Sequence, residues 1–289
     1  MEDHNHGTEE ELLRRFNSPS NKKSNLEYCN EDYLPIYDVR NSSTLPSWID
    51  QNVRKESCSS WENIVKQYSF PKGTWVDCGS YWLNTSSQDS DDWRLNHRFR
   101  LTASNFGGAI GKSNFCTPVD VALSIINIKT KSPSDKVKFS AQHGVVTESE
   151  ARDWYSRTRN VIVKEVGLAV PKWDPRIGAS LDGDVDDGMI EIKSPHEMYK
   201  PLVEHMALIK SGWRPKPYYH AHIWDSHYAQ MQGSMKITGK KWCDYIVYAT
   251  QSNRSYVERV PFNQHYWDNE LWPGIQNFLD NILEPLIAK

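Results

Sequence analysis

The feature that most constrains this chain is a set of charged residues in a predicted β-hairpin. Asp182 ends one strand, and Glu191 and Lys193 lie nine and eleven residues later on the next strand. Successive side chains of a strand point to opposite faces, so Glu191 and Lys193 share one face while Ile190 and Ile192 share the other. Burying a face with two charges costs free energy unless those charges have partners or a ligand. The pattern therefore predicts a site for a hard cation and a water to be activated.

A second interpretation of these residues stays open. A Glu-x-Lys pair on one strand face is common on protein surfaces and by itself indicates no site. The surroundings favour the cation site, because Ser180 precedes Asp182 in a Ser-Leu-Asp-Gly sequence and Ser-Pro follows Lys193. In this interpretation Asp182 and Glu191 hold Mg²⁺, and the Ile192 carbonyl supplies a further oxygen ligand. Lys193 would orient or deprotonate a water, or neutralise a phosphate.

The composition is that of a soluble globular chain. Its 289 residues are 38% hydrophobic and 25% charged, enough for one large domain or one domain with an appended piece. The net charge of −3 argues against a protein that coats nucleic acid through bulk positive charge, but not against a nuclease with an acidic metal site. The five cysteines form no CxxC pair and predict reduced thiols. We recognise no signal peptide or membrane span and expect an intracellular protein.

Changes in composition divide the chain into three regions. Residues 1–30 predict a flexible tail, residues 31–90 an N-terminal accessory region, and residues 91–289 the main domain. The stretch 86–92 is predicted as a solvated linker. Strands and helices alternate in the main domain and predict an α/β (α+β) layered fold. The predicted helices are 117–129, 145–159, 197–211, 226–239 and 266–287; the predicted strands are 160–170, 242–249 and 255–260, with a hairpin at 177–193.

A glutamate lies on the inward face of one predicted helix. Glu148, Ala151 and Tyr155 are spaced i, i+3 and i+7, and the last two form a packing stripe. Glu148 is then either paired with a buried base or a carboxylate of the metal site. The alternative is a solvated ion pair between Glu148 and Arg152 at i+4.

Basic residues precede a predicted helix start. A Thr-Ala-Ser sequence that ends at Ser104 follows shortly after one histidine and three arginines, which are Arg94, His97, Arg98 and Arg100. Free N–H groups at a helix start, a serine hydroxyl and guanidinium groups together can bind a phosphate. An ordinary capped helix with solvated arginines is the alternative.

Two further patterns carry polar groups. Gln230 lies on the predicted helix 226–239, where its amide either hydrogen-bonds a metal-bound water or a phosphate oxygen or is simply exposed. His220 and His222 have the spacing of two ligands on one strand face, but the sequence places no third ligand beside them. We expect these two histidines to be structural or on the surface.

Taken in chain order, the segments described above resemble the λ-exonuclease-type (YqaJ) viral recombinase nucleases of the PD-(D/E)XK superfamily. The resemblance covers roughly residues 93–280 and rests on five motifs, none of them specific alone. These are 101–107, Gly144 with Glu148 and Ala151, 178–183, 191–195 and 228–233; the segment 242–248 is also similar.

The resemblance implies a restriction-endonuclease-like core in the main domain, with a central mixed β-sheet flanked by helices. It also implies Mg²⁺-dependent hydrolysis of DNA phosphodiesters, with Mn²⁺ able to substitute. Relatives of this type degrade one strand of linear duplex DNA from its 5′ end and leave a 3′ single strand for an annealing protein. Some form ring trimers that thread the DNA, so a homo-oligomer is a further expectation.

Matching the motifs residue by residue implies roles at two sites. The metal would be held by Asp182, Glu191 and the Ile192 carbonyl, with Glu148 at the same site, while Lys193 would act on the attacking water with support from Gln230. Ser104 and Ser180 match positions that hold the terminal 5′ phosphate.

One departure from the family pattern concerns that phosphate. An arginine usually stands seven residues before the serine of Thr-Ala-Ser, and here that position is His97, followed by Arg98 and Arg100. Either the phosphate contact has moved to Arg98, or the preference for a 5′ phosphate is weaker.

Three functions follow, two of them nucleases and the third from another class. The first is a 5′-to-3′ exonuclease that acts on linear double-stranded DNA in recombination or end processing. The second is a structure- or site-selective endonuclease of the same fold, because the metal site alone does not set the end preference. The third is a DNA-binding protein without catalysis, which the complete Asp/Glu/Lys set disfavours.

Overall fold

A computed structural model describes residues 74–87, 90–97, 100–126, 135–213, 220, 222–250 and 254–287. The predicted tail at 1–30, the accessory region up to residue 73 and Arg98 lie outside the described residues. Among the described residues, no helix is long and apolar enough to cross a membrane.

Five strands form the first sheet. They are β1 (Trp75–Asp77), β2 (Tyr81–Asn84), β3 (Leu101–Thr102), β4 (Leu168–Pro171) and β5 (Ile177–Ser180). Their order is β1-β2-β4-β5-β3, and only β3 and β5 are parallel neighbours. The carboxyl ends of β3 and β5 therefore meet at one edge, where the chain leaves Thr102 and Ser180.

A second sheet of four strands continues directly from β5. It consists of β6 (Gly183–Val185), β7 (Gly188–Lys193), β8 (Trp242–Ala249) and β9 (Arg254–Pro261), in that order. Strands β7 and β8 are parallel, and the other two pairings are antiparallel. The predicted α/β class with mixed strand directions is confirmed, with the strands in two mixed sheets.

Helices surround the two sheets. They are α1 (Asp91–His97), α2 (Phe106–Ala109), α3 (Pro118–Ile125), α4 (Asp135–Arg159), α5 (Lys200–Lys210), α6 (Asp225–Thr238), α7 (Gln264–Tyr266), α8 (Trp272–Phe278) and α9 (Glu284–Ile287). Two π-helical turns, Trp267–Leu271 and Leu279–Leu283, connect the last three into one closing segment. Helix α3 begins at a capping box formed by Thr117 and Asp120.

Some predicted boundaries differ from the structure. Helix α4 begins at Asp135, ten residues before the predicted start. The prediction missed this start because the first turns are polar and contain Gly144, which obscures the helical period. The predicted strand 160–170 is reduced to β4, since Asn160 adopts a left-handed φ of 52° that ends α4 and a loop follows. The hairpin consists of β6 and β7 alone, and Asp182 lies in the link between the two sheets.

Strand β7 is buried on both faces. On one face Met189 packs with Met231 and Met235 of α6, and on the other Ile190 and Ile192 pack against α4. The predicted alternation along β7 is therefore present. The face that carries Glu191 and Lys193 is turned toward α6.

Helices α2 and α6 approach closely because each has a glycine at the contact. A Cβ added at Gly233 would lie 2.2 Å from the Phe106 ring, and one at Gly107 would lie 2.5 Å from the Cα of Ser226. Such distances are far below van der Waals contact, so a side chain at either position would force the helices apart. The two motifs that contain these glycines thus fix the position of α6.

The pairing of β2 with β4 joins part of the region 31–90 to the sheet of the main domain. The predicted linker 86–92 is also tied to the fold where it is described, since Ser86 and Asn84 hydrogen-bond the Asp92 carboxylate at 2.6 and 3.0 Å. The tail and the rest of the accessory region lie outside the described residues, so the division at residue 91 stays a prediction.

Candidate active site

Asp182 lies between the two sheets, beside the free edge at the end of β7. Its Oδ2 accepts a hydrogen bond of 2.6 Å from the main-chain N–H of Ile192. In an extended strand the N–H and C=O of one residue point to the same side. The Ile192 carbonyl is therefore directed to the side occupied by Asp182, where it could join the carboxylate in binding a cation.

The charged face of β7 is completed by an amide from α6. The Lys193 ammonium donates to Glu191 Oε1 at 2.6 Å and to Gln230 Oε1 at 3.1 Å. Glu191 is 1% exposed and Gln230 is 9% exposed, so both lie in the interior. The structure thus brings together three of the predicted residues, and it excludes the surface interpretation of the Glu-x-Lys pair.

Glu148 reaches the same region from α4. Ala151 and Tyr155 on its helical face are fully buried, as the spacing predicts. The i+4 ion pair that was the alternative is also present, since Arg152 Nη2 lies 2.7 Å from Glu148 Oε1. Arg152 Nε in addition donates to the Asp182 carbonyl at 2.7 Å. Arg152 therefore connects Glu148 to the main chain at Asp182, and the two interpretations describe one arrangement.

The carboxyl groups at this point hold protons unusually strongly. Burial, followed by the negative charge of Asp182, raises the pKa of Glu148 to about 7. Burial also raises the pKa of Asp182 and that of Glu191, the latter to about 8. Each shift means that the ionised form lacks sufficient positive charge nearby.

The neighbouring carboxylates favour the charged form of the Lys193 amine. Burial by itself lowers the pKa of this amine, but the charges of Glu191 and Asp182 outweigh burial and leave that pKa raised. In this state Lys193 is an ammonium group that donates hydrogen bonds.

The site residues fit a divalent cation on an observation independent of charge. Glu191 Oε2 is buried and has no hydrogen-bond partner among the described residues. A buried, unsatisfied carboxylate oxygen is costly unless a ligand completes it. The carboxylates of Asp182 and Glu148 and the Ile192 carbonyl offer further oxygen atoms, the type of ligand that Mg²⁺ and Mn²⁺ prefer.

The two predicted phosphate-binding serines lie at the same edge of the first sheet. Thr102 of β3 pairs in parallel with Gly178 of β5, and Ser104 and Ser180 each follow two residues later. Ser104 is exposed, and its Oγ lies 3.2 Å from Thr102 Oγ1. Since Asp182 follows Ser180 by two residues, this edge adjoins the carboxylate cluster.

Trp93 joins this edge to His97. Its indole N–H donates to Ser180 Oγ at 3.3 Å, and its ring contacts the His97 ring at a centroid distance of 4.4 Å. Burial, followed by the positive charge of Arg100, lowers the pKa of His97 to about 4. His97 is therefore neutral near pH 7 and does not replace the charge of the family's arginine.

The Arg100 guanidinium is engaged elsewhere and is not available to bind a phosphate beside Ser104 and Ser180. Its side chain is 4% exposed, and its guanidinium donates to the main-chain carbonyls of Pro175 and Asn96. It thereby holds the loop before β5 against the end of α1. Arg98, the other predicted arginine, lies outside the described residues.

Sequence reasoning missed Arg152 and Trp93 as members of the site. Arg152 appeared only as the i+4 partner of Glu148, a spacing that is common on exposed helices. Its second contact, to the Asp182 carbonyl, joins residues thirty positions apart and leaves no local signal. The Trp93 contact with Ser180 spans 87 positions and is equally invisible in the sequence.

Comparison with known proteins identifies the family of this chain. Residues 92–241, just over half of the chain, match the YqaJ-like viral recombinase domain. The crystal structure of an alkaline exonuclease, LHK-Exo, from Laribacter hongkongensis is 25% identical with a TM-score of 0.51, over 68% of this chain and 94% of that one. A crystal structure of LHK-Exo in complex with dAMP gives the same values. No match was found among the curated proteins. The extent of the domain match shows that this chain belongs to the YqaJ-like viral recombinase family.

Proposed function

We propose that the chain is a Mg²⁺-dependent exonuclease that degrades linear double-stranded DNA from 5′ to 3′. Family membership and the fold shared with the alkaline exonuclease LHK-Exo support a nuclease of the exonuclease type. The observation that carries the proposal is the convergence of Asp182, Glu191 and Lys193 with Glu148 from α4 and Gln230 from α6.

A divalent cation would be held by Asp182, Glu191 and the Ile192 carbonyl, with Glu148 close by. When bound, such an ion polarises the phosphodiester and favours the ionised form of a nearby water. Mg²⁺ is the first choice for an all-oxygen donor set, and Mn²⁺ is expected to substitute.

The chain's own residues supply orientation and charge. The Lys193 ammonium is fixed between Glu191 and Gln230, so it can donate a hydrogen bond to a water or to a phosphate oxygen at a set position. A positioned donor of this kind stabilises charge that develops on the scissile phosphate. Gln230 restricts the ammonium from the helix side.

The terminal 5′ phosphate would be held at the edge formed by Ser104 and Ser180. Both are hydroxyl donors, and Trp93 sets the position of Ser180. Because His97 is neutral near pH 7 and Arg100 is engaged with main-chain carbonyls, we assign the positive contact to Arg98. This assignment predicts that a 5′ phosphate is still preferred to a 5′ hydroxyl.

A time course on end-labelled linear duplex DNA tests the proposal. One pair of matched substrates carries the label at the 5′ or the 3′ end, and a second pair has a 5′ phosphate or a 5′ hydroxyl. We expect early release of the 5′ label in Mg²⁺ or Mn²⁺, none in a chelator, and faster loss of the phosphorylated end. The Glu191→Gln variant is the inactive control. Wild-type protein that leaves all linear substrates intact in Mg²⁺ would refute the proposal.

The endonuclease of the same fold is tested in the same assay. Covalently closed circular DNA has no ends, so its cleavage would favour an endonuclease over the exonuclease proposed here. A non-catalytic protein would bind the duplex and cut neither substrate.

The expected partners follow from the product. A 3′ single strand is the substrate of an annealing protein, which we propose as a partner. A ring trimer is the proposed assembly, and measurement of the solution mass tests it.

A further inference from the structure

A row of aromatic rings leads from the candidate active site to the surface. Tyr199 immediately precedes α5, Trp224 immediately precedes α6, and Phe115 lies in the link between α2 and α3. The centroid of the Trp224 ring lies 4.6 Å from that of the Tyr199 ring and 5.4 Å from that of the Phe115 ring. These are contact distances for aromatic side chains, so the three rings form one continuous aromatic row.

The inner end of the aromatic row adjoins Lys193. His227 stacks on Trp224 at a centroid distance of 5.1 Å, and it belongs to the helix that carries Gln230, the amide bonded to Lys193. Residues three positions apart are neighbours on a helix surface, so His227 and Gln230 face the same side. Burial, followed by the positive charge of Lys193, lowers the pKa of His227, and the same charge opposes the rise that burial causes in the pKa of Tyr199. The row therefore begins beside the residue that we expect to contact the scissile phosphate.

The outer end of the aromatic row reaches the surface at Phe115, which is 52% exposed. Its loop is held in place, because the Phe115 main-chain N–H and the Cys116 thiol both donate to Ser113 Oγ, at 3.1 and 3.5 Å. A single exposed apolar side chain is common on protein surfaces. Phe115 differs because its ring continues a row that ends at Lys193. The row thus offers a planar, apolar approach to the site.

A positive side chain borders the aromatic row. Lys200 follows Tyr199 directly, is exposed, and forms no ion pair within the part of the chain that the structure describes. Aromatic rings beside positive charge are the combination that binds single-stranded nucleic acid, since the rings stack on the bases and the charge meets the phosphates. A contact between two protein chains would not require the rings to end at Lys193.

We propose that Phe115, Trp224 and Tyr199 form a stacking platform for unpaired bases of the DNA strand that is cut. The inference rests on the proposed function, because it concerns the same site and its substrate. Bases stacked on the platform hold the strand so that a phosphate lies at Lys193. Since every base has an aromatic face, the platform tolerates any base sequence.

Binding of two single strands tests the platform without any cleavage. One probe is a short 5′-phosphorylated oligothymidylate, and the other is an abasic strand of the same length with the same number of phosphates. The full chain is titrated with each probe in a chelator, and the fluorescence anisotropy of a 3′ label reports binding. We expect wild type to bind the strand with bases more tightly than the abasic strand, because only the former can stack.

Variants then assign the rings. Phe115→Ala should bind the oligothymidylate roughly 5- to 150-fold more weakly than wild type, the effect of losing one stacked base. Its affinity for the abasic strand should be unchanged, since no charge is removed. Phe115→Trp keeps an aromatic face and should retain the preference for bases. The matched control is Trp173→Ala, which should also retain it, because Trp173 is 45% exposed and lies at the opposite end of β5 from Ser180.

Two results would overturn the proposal. The first is equal affinity of wild type for the two strands, a result that does not depend on the folding of any variant. The second is a full preference for bases in Phe115→Ala. If that variant kept the preference but changed the mass of the protein in solution, the row would be a contact between copies of the chain.

The platform and the nuclease can fail separately. A chain that prefers the strand with bases but leaves linear duplex DNA intact in Mg²⁺ would refute the exonuclease and not the binding of bases. A chain that degrades linear duplex DNA but binds both single strands equally would refute the platform alone.

Discussion

Lys193 is the residue for which the geometry gives the most specific prediction. Its ammonium is the group that joins Glu191 of β7 to Gln230 of α6. Lys193→Ala removes the positioned charge, so we expect cleavage of linear duplex DNA to fall by roughly 10²–10⁴-fold while DNA binding persists. Lys241→Ala, whose side chain is 74% exposed, is the matched control and should remain active. Full activity of Lys193→Ala would remove this residue from the chemistry.

Arg152 offers a test that the sequence motifs do not suggest. It is placed to hold Glu148 and the main chain at Asp182 together, so Arg152→Met should disturb the carboxylates without removing any of them. Loss of a residue that orients metal ligands costs roughly 10–100-fold in metal affinity or activity. The activity of Arg152→Met should therefore need a higher Mg²⁺ concentration to reach half of its maximum.

Arg157 provides the comparison for that variant, since it is exposed on the same helix. Arg157→Met should leave the Mg²⁺ dependence unchanged. An identical Mg²⁺ titration for wild type and Arg152→Met would show that Arg152 does not orient the site.

Residues of the candidate site differ in how far the sequence predicts them. Glu191 and Lys193 follow from strand alternation and Glu148 from helical period, because each pattern is local. Arg152 and Trp93 depend on contacts between distant segments, and no local period encodes those. Their contribution became visible only in the folded chain.

At the scale of elements, the position of α6 rests on its contact with α2. Gly233→Ala would place a methyl group 2.2 Å from the Phe106 ring, so the two helices must separate. We expect a loss of roughly 1–3 kcal/mol in the free energy of unfolding, measured by urea denaturation. Nuclease activity should fall as well, since α6 carries Gln230.

The matched control is Gly144→Ala on α4. A Cβ there would meet no atom within 4 Å, and alanine favours a helix over glycine by up to about 1 kcal/mol. This variant should be as stable as wild type or more stable. If Gly233→Ala were equally stable, the close approach of α2 and α6 would not be a constraint on the fold.

Element boundaries were less predictable than element types. The strand 242–249 was placed correctly because aromatic and β-branched residues dominate it, and it is β8 in the structure. The start of α4 was placed ten residues late because polar residues and a glycine obscure its first turns. The separation of the strands into two sheets depends on pairing partners, which the period of a single strand does not determine.

The stability of the whole molecule should report the charge state of the site. The pKa of Glu148 is raised to about 7 and that of Glu191 to about 8, whereas the ordinary value in an unfolded chain is 4.5. Between these limits the folded state binds more protons than the unfolded state, so rising pH favours unfolding. Buried histidines act in the opposite sense, because the pKa of His97 and that of His205 are lowered to about 4 from 6.5. Their contribution rises with pH but is complete near pH 6.5.

The informative window is therefore pH 6.5 to 8, in a chelator. There we expect the unfolding temperature of wild type to fall as the pH rises. The free energy of unfolding should decrease by at most about 1.4 kcal/mol per pH unit for each proton involved. Glu191→Gln cannot ionise and should show a shallower fall, measured by thermal unfolding at matched ionic strength. Added Mg²⁺ should remove most of the wild-type slope, because it favours the ionised carboxylates of the folded state. Equal slopes for wild type and Glu191→Gln in the chelator would mean that the buried glutamate does not hold its proton near neutral pH.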